Sequence, residues 1–223
     1  GAAGFLGIGL SFHGQPTAML APKPFEVSLG KLVGAARAVV TGSDFGVGFL
    51  RGKFPAEAGK MHRVYNGIDL ARFRLTDFSA VPSSIISIGR LIEKKGFADL
   101  IEACRLPREG GIDFRCEIIG EGPLQAALEE QINRADLSRA VLLAGPLAQG
   151  EVIDRLARAT GVALPCVAEK GGGKDNLPTV VMEAMATGLP VVSTPIGGVS
   201  EMVVNGVTGL LVPEHEPAAL AEA

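Results

Sequence analysis

The 223-residue chain has few of the residues that usually build metal centres or disulfide frameworks. It has three histidines, scattered along the sequence, and three cysteines in apolar stretches without a Cys-x-x-Cys pair. An odd number of isolated cysteines is typical of buried thiols in a reducing cytosol, not of a disulfide scaffold. We therefore expect no metal site and no cofactor. The cysteines are Cys104, Cys116 and Cys166.

The chain also lacks an excess of basic residues and a long apolar run. Its formal net charge is -3 and its pI about 5.7, which argues against a nucleic-acid partner, because such proteins carry a basic stripe. The apolar start, residues 1–10, is shorter than the roughly 20 residues that span a membrane, and it has no basic region typical of a signal peptide. Hydrophobic residues make up 47% of the chain and charged residues 20%, so a sizeable core is expected.

From about Ser83 onward, short β-rich runs alternate with amphipathic helical runs. This alternation predicts an α/β fold with a parallel sheet and helices on both faces. Ligands bind such sheets at the carboxyl ends of the strands, so the loops after Ile88, Ile119, Ala144 and Pro165 should share one rim. Strands are predicted at 84–89, 114–120, 141–144, 161–165, 189–193 and 208–212, and helices at 97–104, 123–134, 151–158, 179–187 and 199–204.

Residues 1–80 are less regular and predict a partial N-terminal domain with a linker. A strand is expected at 38–41, and Ser43 and Asp44 could cap a helix that runs to about residue 53. Another strand at 62–66 ends at an Asn-Gly turn signal, and 69–83 is a plausible linker to a C-terminal domain at 81–223. The absence of an initiator Met and a final helix cut after its first turns suggest a piece of a longer chain.

Glu183 is an acidic residue in an otherwise small and apolar helical segment. A carboxylate that is removed from water without a partner costs several kcal/mol or more, and no Lys or Arg stands one turn away. Asp175 precedes it by eight residues, in a Gly- and Pro-marked loop that opens the helix. Two acids around such a loop suggest a site for a ligand with hydroxyl groups. Helix capping is the alternative role for Asp175.

Two further loops follow predicted strands and carry candidate binding residues. In the loop 89–96, Arg90 offers a planar fork of donors to phosphate oxygens, and Lys95 offers a compact charge beside a helix N-terminus. A solvated basic loop is the alternative. In the loop 120–123, Gly120 and Gly122 lack the third glycine of a dinucleotide fingerprint, which disfavours NAD. These glycines could allow a tight turn and close approach of a base or ribose.

Taken together, these motifs resemble the retaining glycosyltransferases of family 4, which have the GT-B fold with two Rossmann-like domains. The resemblance covers nearly all of residues 62–222. It rests on Gly89-Arg90-Leu91 with Lys95-Gly96, on Gly120-Glu121-Gly122-Pro123, on residues 175–186, on Gly188-Leu189-Pro190-Val191-Val192, on Gly197-Gly198-Val199-Ser200-Glu201, and on residues 205–212, with Tyr65-Asn66-Gly67-Ile68-Asp69 near the hinge.

The resemblance implies a nucleoside-diphosphate sugar held mainly by the C-terminal domain. Arg90 and Lys95, beside Gly89 and Gly120, should hold the diphosphate, and Glu183 should accept hydrogen bonds from the ribose hydroxyls. Asp175 takes the first acidic position of the E-x7-E motif and should contact sugar hydroxyls, near the backbone of Leu177, Pro178, Thr179 and Val180. His13-Gly14 resembles the element that faces the donor sugar and acceptor, so His13 and Asp175 are the catalytic candidates.

The implied activity is metal-independent transfer of a sugar to a hydroxyl acceptor, with retention at the anomeric carbon. The alternatives are a fragment that binds nucleotide sugar without catalysis and a related GT-B epimerase. This sequence departs from the family pattern in two places: Asp175 is one methylene shorter than Glu, and Pro16 stands where an Asp often follows His-Gly.

The resemblance leaves the acceptor open between a saccharide and a lipid-linked molecule. The protein is expected to be cytoplasmic, and a location at the inner face of the membrane is left open. A locally basic region with phenylalanines among its charges could contact anionic lipid. A solvated face is the alternative. The region comprises Arg51, Lys53, Lys60, Arg63, Arg72 and Arg74, with Phe49, Phe54 and Phe73.

Overall fold

The computed structural model describes residues 9–12, 23–78, 83–169 and 174–223. The first part of the chain forms a small sheet in the order β1-β2-β3 with every pair parallel. Val33, Val39, Leu50 and Met61 are almost fully buried in its core. The elements are β1 (Gly9–Phe12), α1 (Lys23–Ala35), β2 (Ala38–Thr41), α2 (Asp44–Lys53) and β3 (Met61–Arg63).

A larger six-stranded parallel sheet follows, in the order β6-β5-β4-β7-β8-β9. Its strands are β4 (Ser84–Ile88), β5 (Arg115–Ile119), β6 (Val141–Gly145), β7 (Gly161–Leu164), β8 (Val191–Ser193) and β9 (Gly209–Leu211). Its helices are α3 (Phe97–Glu109), α4 (Gln125–Arg134), α5 (Gln149–Leu156), α6 (Thr179–Ala186) and α7 (Pro217–Glu222). The chain runs outward from β4 to β6 and then returns to the other side of β4 to start β7. The strand order therefore reverses between β4 and β7, the place where such sheets leave a crevice for ligands.

The hydrophobic pattern explains why these segments take these positions. The predicted apolar face of α3, formed by Phe97, Leu100, Ile101 and Cys104, is buried against the sheet. Each strand and helix predicted after residue 83 is present within a few residues of its expected limits, and all six strands are parallel. The segment predicted as a helix at 199–204 is the exception, because Val199–Glu201 forms only a 3₁₀ turn.

The segment between the two sheets is attached to the larger one. The predicted strand at 62–66 is shorter than expected, at Met61–Arg63, and Leu70–Arg72 forms a 3₁₀ turn. The Thr76 amide donates to the Thr187 carbonyl at 3.0 Å, and Phe73 packs against the large core. The expected domain boundary at residues 80 and 81 lies outside the described residues, and the division into domains stays a prediction.

The phenylalanines of the basic region face inward. Phe49 and Phe54 pack against the small core and Phe73 against the large one, so their rings are not free to enter a lipid surface together. Arg51 donates to the Met61 carbonyl at 3.1 Å. Contact with a membrane through this region therefore stays an untested prediction. No helix in the described part of the chain has both the length and the apolar character needed to cross a membrane.

Candidate functional site

A cavity of about 340 Å³ opens at the carboxyl ends of β4 and β7, beside the reversal of strand order. This volume is within the usual range for a small-molecule site. The loop after β4, the loop after β7 and the first turns of α6 form its walls. The lining residues are Ile88, Gly89, Arg90, Ile92, Lys94, Lys95, Asp175, Pro178, Thr179, Val180 and Glu183.

The loop after β4 supplies the positive charge. Glu93–Lys95 forms a 3₁₀ turn that Gly96 ends in the left-handed conformation, with φ 66°. The turn directs Lys94 and Lys95 toward the loop after β7. The side chain of Arg90 is exposed at the cavity, and within the described residues no acid pairs with its guanidinium.

Gly96 is required by both its backbone angle and its surroundings, because a Cβ there would overlap the Pro165 carbonyl oxygen and lie 2.8 Å from the carbonyl carbon. Gly96→Ala should lower the free energy of unfolding by about 3 kcal/mol, from left-handed strain of about 1–2 kcal/mol plus displacement of the neighbouring backbone. Gly111→Ala is the matched control, since Gly111 has φ 76° and open space around it. Urea unfolding of both variants measures the difference, and equal losses would show that crowding at Gly96 is irrelevant.

The N-terminus of α6 supplies backbone donors. Pro178, with φ -66°, precedes the helix as its N-cap and provides no side-chain cap. Proline fixes the backbone at the helix entry, and the first amides of a helix have no partner inside the helix. Thr179 and Val180 line the cavity, so this helix end can receive an anion. The helix after Lys95 begins at Phe97, which does not line this cavity, so the anion donors expected from that helix stay a prediction.

Glu183 lies one turn into α6, at the side of the same cavity. Its carboxyl group is half-buried, and burial raises its pKa above the ordinary value, while the charge of Arg72 works in the opposite direction. Among the described residues, no group donates a hydrogen bond to this carboxylate. It therefore presents acceptor oxygens to whatever occupies the cavity.

Asp175 faces the basic loop from the other wall. Its Oδ2 forms a short ion pair with Lys95 Nζ, and Lys94 Nζ lies 3.9 Å from its Oδ1. Cys166 Sγ lies 3.7 Å from Oδ2. Burial raises the pKa of this thiol to about 12, with a further contribution from the Asp175 charge, so Cys166 stays a neutral, weak donor. Asp175 is thus held by side chains and does not cap α6.

Two of the predicted binding residues do not line the cavity. Gly120, with φ 139°, has its backbone packed against Gly89, whose carbonyl a Cβ would overlap. The Leu91 amide also donates to Glu121 at 2.9 Å. The glycines of this loop therefore allow a close approach between two rim loops, and the predicted role of Gly120 in donor binding stays a prediction. Leu177 is buried at 9% exposure and packs toward Gly198.

The structure brings eight of the predicted residues to the cavity wall. They are Gly89, Arg90, Lys95, Asp175, Pro178, Thr179, Val180 and Glu183. His13 lies outside the described residues, so its place is untested. Among the residues that the structure describes, no group of three or more His, Cys, Asp and Glu side chains is arranged to hold a metal ion.

Residues 78–223 match the family described as glycosyl transferases group 1. The chain belongs to this glycosyltransferase family. The chain is 40% identical over 169 residues to AmsK, an amylovoran biosynthesis glycosyltransferase of Erwinia amylovora, with 75% of this chain and 41% of AmsK covered. It is 41% identical over 158 residues to WcaL of Escherichia coli K12, which carries the name of a colanic acid biosynthesis glycosyltransferase, with 70% and 39% covered. The chain thus spans about two fifths of the length of these curated relatives.

Solved structures show the same fold at lower identity. Alr3699/HepE of Anabaena, in complex with UDP and glucose, matches with a TM-score of 0.80 and 23% identity over 97% of this chain and 60% of that chain. TarM of S. aureus matches with a TM-score of 0.79 and 19% identity over 96% of this chain and 42% of that chain. The predicted α/β fold of the GT-B class is confirmed.

Two residues at or near the cavity were not predicted from sequence. Lys94 contacts Asp175 together with Lys95, and the doubled lysine was the only signal for it. Arg72 acts electrostatically on Glu183 and donates to Gln149 Oε1 at 3.0 Å. Nothing in the sequence around Arg72 indicates that the linker passes near the site.

Proposed function

We propose that this glycosyltransferase binds a nucleoside-diphosphate sugar and transfers the sugar to a hydroxyl acceptor with retention, as in family 4. The observation that carries the proposal is the set of groups that line the cavity at the carboxyl ends of β4 and β7. The Arg90 guanidinium, the Lys95 ammonium and the first amides of α6 lie beside two carboxylates that can accept hydrogen bonds from hydroxyl groups. A nucleoside-diphosphate sugar combines the complementary groups, because its diphosphate is anionic and its ribose and hexose carry hydroxyls.

Arg90, Lys95 and the first amides of α6 are the groups proposed to hold the diphosphate. During transfer, the bond between the anomeric carbon and the diphosphate oxygen breaks, and the acceptor oxygen bonds to that carbon. The acceptor's proton leaves with the diphosphate. Negative charge grows on the diphosphate as its bond breaks, so donors already fixed around it stabilise the transition state. Glu183 is proposed to bind the ribose hydroxyls and so to hold substrate without taking part in bond breaking.

Asp175 is proposed to bind hydroxyls of the transferred sugar. Its ion pair with Lys95 keeps the shorter carboxylate at the cavity wall, next to the cation that the diphosphate would share. His13 is proposed to approach the sugar from the acceptor side. Hexose transfer is the expected specificity.

We further propose that the reaction needs no metal ion, because Arg90 and Lys95 provide the charge that a divalent cation would otherwise supply. Transfer by the full-length protein should continue in the presence of EDTA. Activity that stops with EDTA and returns with a divalent ion would contradict this proposal.

The binding function is tested by calorimetric titration of the chain with UDP-, GDP- and ADP-sugars. One nucleotide class should bind with a stoichiometry of one. UDP is a candidate, because it is bound in the Alr3699/HepE structure. If none of the three classes bound at millimolar concentration, the proposed donor site would be wrong.

A second candidate function is binding of the nucleotide sugar without transfer. It is favoured by the share of AmsK and WcaL that the chain covers, 41% and 39%, and by the position of all the cavity-lining residues in the part of the chain that forms the larger sheet. Binding by this chain without transfer, alongside transfer by a full-length protein, would select it. An epimerase of the same fold would instead change the sugar while leaving it on the nucleotide.

The acceptor is proposed to be a saccharide or a lipid-linked saccharide, in polysaccharide biosynthesis. The support is the pair of relatives whose names refer to amylovoran and colanic acid biosynthesis. A cytoplasmic location at the inner face of the membrane fits such an acceptor and is part of the same proposal.

A further inference from the structure

The part of the chain that forms β1 to β3 is here called the small-sheet unit, and the part that forms β4 to β9 the larger unit. The N-terminus of α2, in the small-sheet unit, contacts the loop that carries Asp175. Ser43 accepts from the Gly46 amide at 2.9 Å and so caps α2. Its hydroxyl also donates a short hydrogen bond to the Asn176 side-chain oxygen, 133 residues away. Ser43 is fully buried and Asn176 is 5% exposed. This bond therefore joins the two sheet units out of contact with water.

A second contact joins the same helix end to the larger unit. The carboxylate of Glu201 accepts from the amides of Asp44 and Phe45, each at 2.8 Å, and from the Tyr65 hydroxyl at 3.0 Å. A carboxylate at a helix N-terminus is favoured by the unpaired amides and by the helix dipole. Glu201 thus occupies the end of α2 and fixes its direction relative to the larger sheet.

The loop after β7 is also in close contact with residues 197–198 of the larger unit. The Gly198 amide donates to the Asn176 carbonyl at 2.5 Å. A Cβ at Gly197 would overlap the Asp175 carbonyl oxygen, and one at Gly198 would lie 2.6 Å from the Asn176 carbonyl oxygen and 3.0 Å from the Ser43 Cβ. Asn176 is thus enclosed between residues 197–198 and Ser43, so a shift of α2 must move it or break its bond.

We propose that Ser43, Asn176 and Glu201 form a joint between the two units that positions Asp175 for the donor sugar. Asn176 follows Asp175 directly, whereas Arg90 and Glu183 stand on other elements and do not touch the joint. The small-sheet unit therefore controls recognition of the sugar and leaves recognition of the nucleoside diphosphate to the larger unit. This inference rests on the proposed donor site and deepens it.

The test compares the nucleoside diphosphate with its sugar conjugate, using the base class that the unmodified chain binds. Calorimetry gives the Kd of the diphosphate divided by the Kd of the sugar conjugate, and this ratio is the advantage of the sugar conjugate. Asn176→Ala should leave the Kd of the diphosphate within about twofold. It should reduce the advantage of the sugar conjugate by roughly tenfold, the loss expected if displacement of Asp175 removes one hydrogen bond from its carboxylate to a sugar hydroxyl. Ser43→Ala should reduce the advantage similarly, and the double variant should lose no more than either single one.

The exposed pair Ser138 and Asn133 provides the matched control, because Ser138 Oγ donates to Asn133 Oδ1 at 2.9 Å far from the cavity. Ser138→Ala should leave both dissociation constants unchanged. Glu201→Gln is the second joint variant if Asn176→Ala unfolds. It keeps the side-chain size, removes the charge from the end of α2 and should lower the sugar advantage in the same direction.

The outcomes separate the joint from the donor site itself. If the joint variants fold and keep the full advantage of the sugar conjugate, the joint is wrong while the donor site stands. Equal weakening of diphosphate and conjugate would also overturn it, because the effect would then be general. If the unmodified chain binds no nucleotide of any class, the donor site is wrong and the joint fails with it.

Discussion

Arg90→Ala is expected to weaken binding of the nucleoside diphosphate by roughly 10- to 100-fold, since a hydrogen bond to a charged group contributes about 1.5–3 kcal/mol and 1.4 kcal/mol is a factor of ten. The guanidinium is exposed at the cavity wall, so its removal leaves no buried partner unsatisfied. The free energy of unfolding should therefore stay the same within about 0.5 kcal/mol. Calorimetric titration and urea unfolding measure the two effects.

Binding measured with the nucleoside, the nucleoside diphosphate and the sugar conjugate shows which part of the ligand Arg90 contacts. Arg90→Ala should weaken the diphosphate and its sugar conjugate by the same factor and should leave binding of the bare nucleoside unchanged. Arg139→Ala is the control, an exposed arginine on the loop between α4 and β6, away from the cavity. If the Arg90 variant bound the diphosphate as tightly as the unmodified chain, Arg90 would not be a diphosphate ligand.

Most of the fold follows from local patterns that act over a few residues. Apolar residues of α3 at Phe97, Leu100 and Ile101 predict the buried face that the structure shows. Ser43 predicts the start of α2, because its side chain satisfies an amide within the next turn. Alternating strands and helices predict a parallel sheet, and a parallel sheet fixes which ends of the strands meet. That sufficed to place the loops of Arg90 and Asp175 on one rim.

The pairings inside the site could not be predicted in the same way, because they join distant segments. Lys95 and Asp175 are 80 residues apart, and Ser43 and Asn176 are 133 apart. Gly120 shows a second limit of sequence patterns. Its position after a strand suggested contact with a ligand, but the group that requires the missing side chain is the Gly89 backbone. A glycine pattern shows that something comes close and does not show what it is.

Glu183→Gln is the second prediction with a large effect. If the carboxylate binds the ribose hydroxyls, the neutral amide should weaken binding of the diphosphate sugar by roughly 10- to 100-fold, by the same range for hydrogen bonds to charged groups. The bare nucleoside should weaken by a similar factor, in contrast to its insensitivity to Arg90→Ala. The fold should be retained, because no described group relies on this carboxylate as a hydrogen-bond partner. A collapse in thermal stability with unchanged affinity would instead make Glu183 a structural carboxylate.

The pH dependence gives an independent check on the same residue. Burial raises the pKa of Glu183, so the folded state binds this proton more tightly than the unfolded state. Stability linked to Glu183 should then fall as pH rises from the ordinary carboxyl range through the raised folded pKa. Glu183→Gln should accordingly be at least as stable as the unmodified chain at neutral pH, and the difference should vanish in acid. Thermal unfolding of both proteins between pH 4 and 8 measures this difference in stability. A difference that grew toward acidic pH would contradict the predicted direction.

Arg72 should influence the pH at which donor binding is lost on acidification. If donor binding requires the ionised Glu183 carboxylate, as proposed, the pKa of Glu183 matters: burial raises it, and the Arg72 charge lowers it. Arg72→Gln should therefore move the loss of affinity on acidification to higher pH, while Glu183→Gln should remove this limb altogether. Arg74→Gln, an exposed arginine on the same linker, should leave the profile in place. If the Arg72 and Arg74 variants shifted the profile equally, the linker would act through net charge and not through the proximity of Arg72 to Glu183.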